Sequence, residues 1–365
     1  MSKRHLFFFL FASIYFFGCQ QEDKSGKALI KSKWISGNEP KIEYGFYLTK
    51  KIINIEFPLE DSILFDISAD NRYELYINGQ FVGFGPALDD ADHWRYDTYH
   101  INQFLRDGDN IIAARFYNFG KHRGHMQLSS GTGFWSRCEQ IEALNSDATS
   151  SVRKDESMKP SPVIVGKDVR GGYLAPACDS IIYFKSQVNW QSTNDIENWQ
   201  QANELADTSA RKLYPRSIPF MEQKVELIGK PQRIPVKINQ IGDFMSFRVP
   251  ENRKVRILFD HEKLTTGFPK FVFSGGEGSK IKITYAEAPF LDNQKDDKGN
   301  WINEGQEKGN RNVYWGKIMT GNHDVLLPDG NTHEFRPSWY RTFRYMQIDI
   351  QTGEETLQVD SLHHL

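Results

Sequence analysis

The sequence has little cysteine, no excess of one charge sign and no long apolar run beyond its first residues. Only 3 of its 365 residues are cysteine, and they form neither a Cys-x-x-Cys pair nor a Cys/His run with zinc spacing. The 45 basic and 47 acidic residues nearly cancel, so the charge excess typical of nucleic-acid-binding proteins is missing. A cysteine-based structural zinc site and a nucleic-acid partner are therefore both disfavoured.

Common catalytic signatures are missing as well. The sequence contains no Gly-x-Ser-x-Gly elbow, no phosphate-binding loop, no His-Glu-x-x-His and no dinucleotide fingerprint. After Tyr285 no segment sustains, over several turns, the apolar spacing of three and four that marks amphipathic helices. These absences disfavour several familiar enzyme classes and any helical domain in the last part of the chain.

The chain is long enough for about two domains, and it contains many aromatic residues. Phe, Tyr and Trp make up 13% of the chain, which suits half-buried sheet surfaces better than a helical bundle. Period-two alternation begins near Ser62, and Asn78-Gly79 offers the two residues that readily adopt positive φ in a tight hairpin turn. Residues 110–118 are apolar on both faces, which predicts a central strand.

A second alternating region starts near Val225 and ends in a strand predicted at 341–350, with a hairpin turn predicted at residues 275–278. The fold class is therefore mostly β, with two antiparallel, jelly-roll-like β-sandwiches in tandem. The predicted division is a signal peptide at 1–19, a polar tether at 20–32, a first sandwich at 33–165, a connector at 166–223 with a short helix at 195–202, and a second sandwich at 224–365.

The first 19 residues indicate export. A basic head, Lys3-Arg4-His5, precedes an apolar run at residues 6–17 that is shorter than the roughly 20 residues a spanning helix needs. Phe17-Gly18-Cys19 resembles a bacterial lipoprotein cleavage site, which implies lipidation of Cys19; the alternative is an ordinary secretory signal that contains a cysteine. We expect an exported lipoprotein at the outer membrane or cell surface of a Gram-negative bacterium, or one facing the periplasm.

Two cysteines then remain, Cys138 and Cys178. An oxidising compartment permits a disulfide between them, whereas the alternative is two buried free thiols that pack as small apolar side chains. Both possibilities stay open at the level of sequence.

The acidic loop after the first hairpin holds the best candidate ligand residues. Asp89, Asp90 and Asp92 could bind Ca²⁺ through their carboxylates, or could bond to backbone N–H groups of their own loop. Trp94, Arg95 and Tyr96 could form a platform for a sugar ring, although Trp94 and Tyr96 equally suit a strand packed into the core. No cofactor is expected to be required, and calcium is the one candidate.

Four other features carry less specific signals. His122 and His125 are three residues apart, a spacing that suits surface polar residues or half of a metal site. Residues 292–300 have a calcium-like composition without the spacing of an EF-hand loop. Glu287 and Glu304 are disfavoured as a catalytic pair, and Trp339 and Tyr340 suit packing against another domain.

Five groups of residues, in order, resemble bacterial α-L-rhamnosidases of glycoside hydrolase family 78. They are RYELYING at 72–79 with Gly85-Pro86; WRYDTY at 94–99 with TGFW at 132–135; YPRSIPFME at 214–222; YAEA at 285–288 with KGNRN at 308–312; and WYRTFRY at 339–345. The similarity extends over residues 33–362. It implies two sandwiches that precede an (α/α)6 catalytic barrel in that family.

The resemblance implies a non-catalytic chain, because none of its carboxyl groups matches the family's catalytic motifs. Some first sandwiches of the family bind L-rhamnose together with calcium, which makes a rhamnose-containing glycan the expected partner of the acidic loop. Two alternatives stand: a lipid-anchored glycan-binding or scaffolding protein without activity alone, and part of a rhamnosidase whose barrel is separately encoded or lost by truncation. Contact with a membrane is expected only through the lipid anchor.

Overall fold

The computed structural model describes residues 32–37, 42–59, 62–164, 174–206, 211–291, 296–298 and 308–365. Over these ranges the chain forms β-strands and four short 3-10 turns, with no α-helix. Accordingly, none of the described segments is a helix long and apolar enough to cross a membrane. The signal peptide, Cys19 and most of the tether lie outside the described residues, so these predictions stay predictions.

The strands are numbered in chain order. The first fourteen are β1 Ile35–Ser36, β2 Tyr44–Ile55, β3 Leu64–Ala69, β4 Arg72–Ile77, β5 Gln80–Gly85, β6 Trp94–His100, β7 Gly108–Phe119, β8 Phe134–Cys138, β9 Ser151–Lys154, β10 Met158–Ser161, β11 Cys178–Ile182, β12 Gln200–Gln201, β13 Asn203–Glu204 and β14 Leu213–Pro215. The others are β15 Lys230–Arg233, β16 Ile238–Ile241, β17 Phe244–Val249, β18 Lys254–Gly267, β19 Pro269–Gly275, β20 Lys280–Ala286, β21 Phe290–Leu291, β22 Lys317–Ile318, β23 His323–Leu327, β24 Gly330–Phe335, β25 Arg341–Gln351 and β26 Leu357–His364. The 3-10 turns are Asn102–Phe104, Gly120–His122, Glu142–Leu144 and Tyr183–Lys185.

Two six-stranded sheets form the first sandwich, in the orders β13-β1-β8-β3-β6-β14 and β12-β9-β2-β7-β4-β5. Their facing sides enclose a core that includes Phe65, Leu75 and Phe116. The hairpin predicted at Asn78-Gly79 is confirmed, since both residues have positive φ and join β4 to β5. The central strand is confirmed too: β7 pairs with β2 and β4, and its two faces contribute to separate apolar clusters.

The second sandwich is built from a seven-stranded sheet, β10-β11-β23-β20-β25-β18-β15, and a five-stranded sheet, β16-β17-β26-β19-β24. The mostly β, sandwich fold class is thus confirmed, and the pairing is antiparallel except for β11 with β23 and β14 with β6. Strands β10 and β11, which stand on either side of the domain boundary predicted at residue 165, pair with each other in the seven-stranded sheet.

The two sandwiches share a continuous apolar junction. Phe46, Tyr117 and Phe119 of the first sandwich belong to the main core cluster of the second. The Tyr117 hydroxyl donates to the Ser338 carbonyl. The Arg336 guanidinium lies 4.5, 4.7 and 4.4 Å from the ring centres of Phe81, Phe84 and Phe268, which come from both sandwiches.

Three local predictions in the connector and second sandwich are wrong. Residues 195–202 form no helix: Asn198 has a positive φ, and the Asp195 carbonyl, which a helical N–H would need, accepts a hydrogen bond from the Lys50 ammonium. The link at 275–278 is not a hairpin, because β19 and β20 belong to different sheets. The strand predicted at 341–350 is not the last, since β26 follows it.

Of the two possibilities left open for Cys138 and Cys178, the structure has the free thiols and not the disulfide. Both cysteines are free and buried. Cys138 lies in the core of the first sandwich and Cys178 in that of the second, so the two thiols belong to different packed interiors. Each fills apolar space, which was the alternative reading.

Candidate functional site

The acidic loop makes its contacts within itself. Asp89 forms an ion pair with Arg95, Asp90 accepts a hydrogen bond of 2.9 Å from the His93 ring, and the Asp92 backbone N–H donates to Asp90 at 2.8 Å. The three carboxylates are absent from the one group of three or more potential metal ligands found among the described residues. Calcium binding by this loop stays a prediction that these local hydrogen bonds do not favour.

Of the two possibilities left open for Trp94, a sugar platform or packing in the interior, the structure has the packed one. Trp94 is 7% exposed and packs with Trp34 and Trp135, and its indole N–H donates to the Ala69 carbonyl at 3.0 Å. Half-buried Tyr96 packs against the same cluster.

The other sequence candidates are dispersed. The His122 ring packs edge-on against Tyr44, with ring centres 6.0 Å apart, and His125 is exposed. Glu304 and most of residues 292–300 lie outside the described residues. Glu287 is exposed and lines a cleft that sequence reasoning did not predict.

That cleft, here called the junction cleft, opens where the two sandwiches meet. It consists of two adjoining cavities of about 500 and 450 Å³, a size typical of small-ligand sites. Four residues line both cavities: Arg72 and Leu88 from the first sandwich, and Trp339 and Tyr340 from the second. By contrast, the crevice beside the acidic loop holds about 10 Å³, room for about one water molecule.

The aromatic wall of the junction cleft is formed by Trp339 and Tyr340, both half-buried, with ring centres 4.7 Å apart. The Arg72 guanidinium lies 4.0 Å from the centre of the Trp339 ring. Arg72 is buried, which lowers its pKa to about 10, and forms no ion pair within the described part of the chain. An aromatic wall beside a cation suits a ligand with one apolar face and hydroxyl groups at its edge.

A buried ionic network holds this wall in place. Arg341 contacts Asp324 at 2.6 Å and Asp179 at 3.0 Å, and the Tyr285 hydroxyl donates to Asp324 at 2.7 Å. Asp179 accepts hydrogen bonds from the Ser338 backbone N–H and hydroxyl at 2.7 and 2.6 Å. Burial raises the pKa of Asp179, and Arg341 opposes that rise. The network therefore fixes the segment that carries Trp339 and Tyr340.

Trp339 and Tyr340, for which the sequence predicted packing against another domain, lie in the structure at the junction cleft. The sequence contains part of the information needed to predict the cleft, because two adjacent aromatic residues and an arginine follow Arg336-Pro337-Ser338. What the sequence does not contain is the opposite wall, formed by Arg72 and Leu88 more than two hundred residues earlier.

Comparison with known proteins adds the fold relationship. By sequence, no protein-family model and no curated protein matches the chain. By structure, a GH78 family rhamnosidase of Bacillus sp. GL1 superimposes with a TM-score of 0.70 at 13% identity, over 91% of this chain. This chain shares its fold with part of a rhamnosidase.

Two further α-L-rhamnosidases show the same relationship. The enzyme of Aspergillus terreus gives a TM-score of 0.56 at 16% identity over 92% of this chain, and that of Dictyoglumus thermophilum gives 0.55 at 18% over 91%. The matched region is 54% of the Bacillus protein, 36% of the Aspergillus protein and 35% of the Dictyoglumus protein. The rhamnosidase resemblance predicted from the sequence is thus confirmed as a likeness of fold.

Proposed function

We propose that this chain binds rhamnose-containing glycan in the junction cleft and does not hydrolyse it alone. The observation that carries the proposal is the cleft itself: Trp339 and Tyr340 offer aromatic surface to the apolar face of a sugar ring, and Arg72 stands beside them. The choice of rhamnose rests on the similarity of fold to proteins that are named rhamnosidases.

The absence of hydrolysis is proposed from the cleft's chemistry. Glycoside hydrolysis generally uses two carboxyl groups about 5 to 10 Å apart across the scissile bond. Glu287 is the single carboxylate among the described residues that line the junction cleft, whose other polar side chains include Asn322 and Arg341. A cleft of this composition suits binding better than acid–base catalysis.

The setting we propose is the surface of a Gram-negative cell, with the chain tethered through lipidated Cys19. Support comes from the basic head, short apolar run and Gly18-Cys19 of the sequence. Labelling of the membrane fraction with a radioactive fatty acid should depend on Cys19, and a Cys19→Ala variant should appear in the soluble fraction. Label that persists in that variant would contradict the anchor.

Isothermal titration calorimetry with rhamnose-terminated oligosaccharides tests the binding function. We expect a saturable signal with rhamnose-terminated glycans that is absent with the same glycans after rhamnose removal, in calcium and in chelator alike. An aryl α-L-rhamnoside should release no aglycone. Lack of any binding at millimolar glycan, or turnover that survives further purification, would contradict the proposal.

A second candidate function is docking of a separately encoded catalytic barrel. One observation favours it: Ile218, Phe220 and Met221 beside the junction cleft are 57, 49 and 41% exposed, a continuous apolar strip. Sequencing of the DNA downstream of the gene would test it, because a reading frame for a helical barrel should follow. A downstream region without such a frame would count against this function.

A further inference from the structure

Two buried histidines and a glutamate meet on the second sandwich, at a site that includes no residue of the junction cleft. The Nε2 atoms of His261 and His364 are 3.1 Å apart. The Glu226 carboxylate lies 3.9 Å from Nε2 of His261 and 4.0 Å from Nε2 of His364. In the part of the chain that the structure describes, this is the one group of three or more metal-ligating side chains whose ligand atoms converge.

The local backbone directs the three side chains to one point. Glu226 and His364 are paired by two backbone hydrogen bonds of 2.9 and 3.0 Å, which fixes the spacing of their Cα atoms. His261 lies in a bulge of β18, where the pairing with β25 shifts register after Asp260 and Glu262 has a positive φ. Bulges of this kind re-aim side chains and are common beside functional sites.

The two imidazoles are held in place by packing. Their side chains are only 6% and 4% exposed, and the Phe343 ring contacts both edge-on at 6.0 and 5.8 Å between ring centres. Burial lowers the pKa of both histidines. A neutral imidazole is the form that ligates metal ions.

We propose that Glu226, His261 and His364 form a binding site for a divalent transition-metal ion, with Zn²⁺ as the best match. The point equidistant from the three ligand atoms lies about 2.1 Å from each, which equals the usual length of zinc–nitrogen and zinc–oxygen bonds. Two histidines and one carboxylate are a common zinc ligand set that leaves a further position for water or another ligand.

The charges around the site leave it accessible to a cation. Lys263 is the nearest ammonium, with its Nζ 3.9 Å from the Glu226 carboxylate, but its side chain is 69% exposed and free to turn toward solvent. Glu226 is 36% exposed, so its carboxylate opens the site to water on one side. A metal ion would replace the contact between the two histidine nitrogens, in which only one ring can donate a proton.

The test is a calorimetric titration of Zn²⁺ into the full chain, produced without a histidine tag and freed of metal by dialysis against chelator. We expect one Zn²⁺ per chain. Glu226→Gln should weaken its affinity at least about tenfold, since even partners outside the ligand shell cost 10–100-fold when removed. His261→Phe and His364→Phe, which keep an aromatic ring beside Phe343, should abolish binding.

The matched control is the double variant His122→Gln, His125→Gln, which removes two histidines elsewhere and should bind Zn²⁺ like the unmodified chain. Replacement of Zn²⁺ by Co²⁺ should give the intense visible absorption of a four-coordinate ion, lost in Glu226→Gln. Glu226 is partly exposed, so we expect the Glu226→Gln variant to fold. It can therefore be titrated even if a histidine variant fails to fold. Absence of Zn²⁺ binding, or binding unchanged by Glu226→Gln and reduced in the control, would overturn the proposal.

Discussion

The segment at residues 89–96, which consists of the acidic loop and the start of β6, differs from the junction cleft in what its aromatic side chains face. At the start of β6, Trp94 packs with Trp34 and Trp135 and is 7% exposed, and the crevice beside it has room for about one water molecule. In the junction cleft, Trp339 is half-buried and lines both cavities. The loop has the composition expected of a sugar site, whereas the junction cleft has the volume and the accessible aromatic surface of the site that we propose.

The two regions also differ in how they are supported. Carboxylates of the acidic loop bond to their own loop at the surface, whereas the wall of the cleft rests on Arg341, Asp179 and Asp324 in the interior. Changes to the cleft's support should therefore affect both stability and binding, and changes to the loop's carboxylates should affect neither.

The largest effect is expected from Arg341→Met. It would leave Asp179 and Asp324 buried without their cation, which typically costs about 3–5 kcal/mol of unfolding free energy. Urea unfolding would measure the loss, with Arg256→Met as control. Arg256 forms an exposed ion pair with Asp349, which should contribute less than about 1 kcal/mol. Equal losses in the two variants would refute the supporting role of the network.

The next largest effect is expected from Trp94→Phe. It removes the indole donor and leaves the buried Ala69 carbonyl unpaired, at a cost of about 1–3 kcal/mol in stability. Glycan affinity should not change, because the indole does not reach the junction cleft. A variant that is as stable as the parent but fails to bind glycan would return the sugar site to the loop.

Trp339→Ala should separate binding from stability in the opposite way. The half-buried ring lines both cavities, so we expect at least a tenfold loss of glycan affinity, about 1.4 kcal/mol, with the fold retained. Calorimetry and far-ultraviolet circular dichroism together would check it. As a matched control, Trp315→Ala removes a tryptophan that is 67% exposed and lies outside the cleft, and should bind glycan normally.

Asp90→Ala and Asp92→Ala should have the smallest effects. Both residues are exposed, and each change should alter stability by less than about 0.5 kcal/mol. Glycan affinity should stay within about twofold of the parent in calcium and in chelator. A calcium-dependent signal that disappears in either variant would show that the acidic loop is the ligand site after all.

Much of the fold could be predicted from local pattern, whereas the site could not. The alternation along β3 and the Asn78-Gly79 turn are encoded by adjacent residues, so period and turn chemistry suffice. Asp66 and Asp70 of the same segment are polar and yet buried, because Arg137 and Arg211 pair with them. The alternating pattern alone predicts that such polar positions face solvent. It does not show that other side chains cover the second face of the sheet.

The junction cleft and the histidine site depend on long-range placement. Arg72 meets Trp339, and Glu226 meets His261 and His364, only after the sandwiches have formed. The wrong helix at 195–202 has a similar cause: its Asp195 carbonyl accepts a hydrogen bond from Lys50, 145 residues earlier in the chain. Periodicity of apolar and polar residues describes one segment at a time. It contains no information on which distant residues that segment will contact.

Fluorine NMR of the chain labelled with 5-fluorotryptophan compares the two regions in a single titration. The 8 tryptophans give resonances that Trp94→Phe and Trp339→Phe variants would assign. On addition of a rhamnose-terminated oligosaccharide, we expect the Trp339 resonance to shift saturably and the Trp94 resonance to stay unchanged. A saturable shift of Trp94 with Trp339 unmoved, or no shift of either at millimolar glycan, would contradict the assignment of the sugar site to the junction cleft.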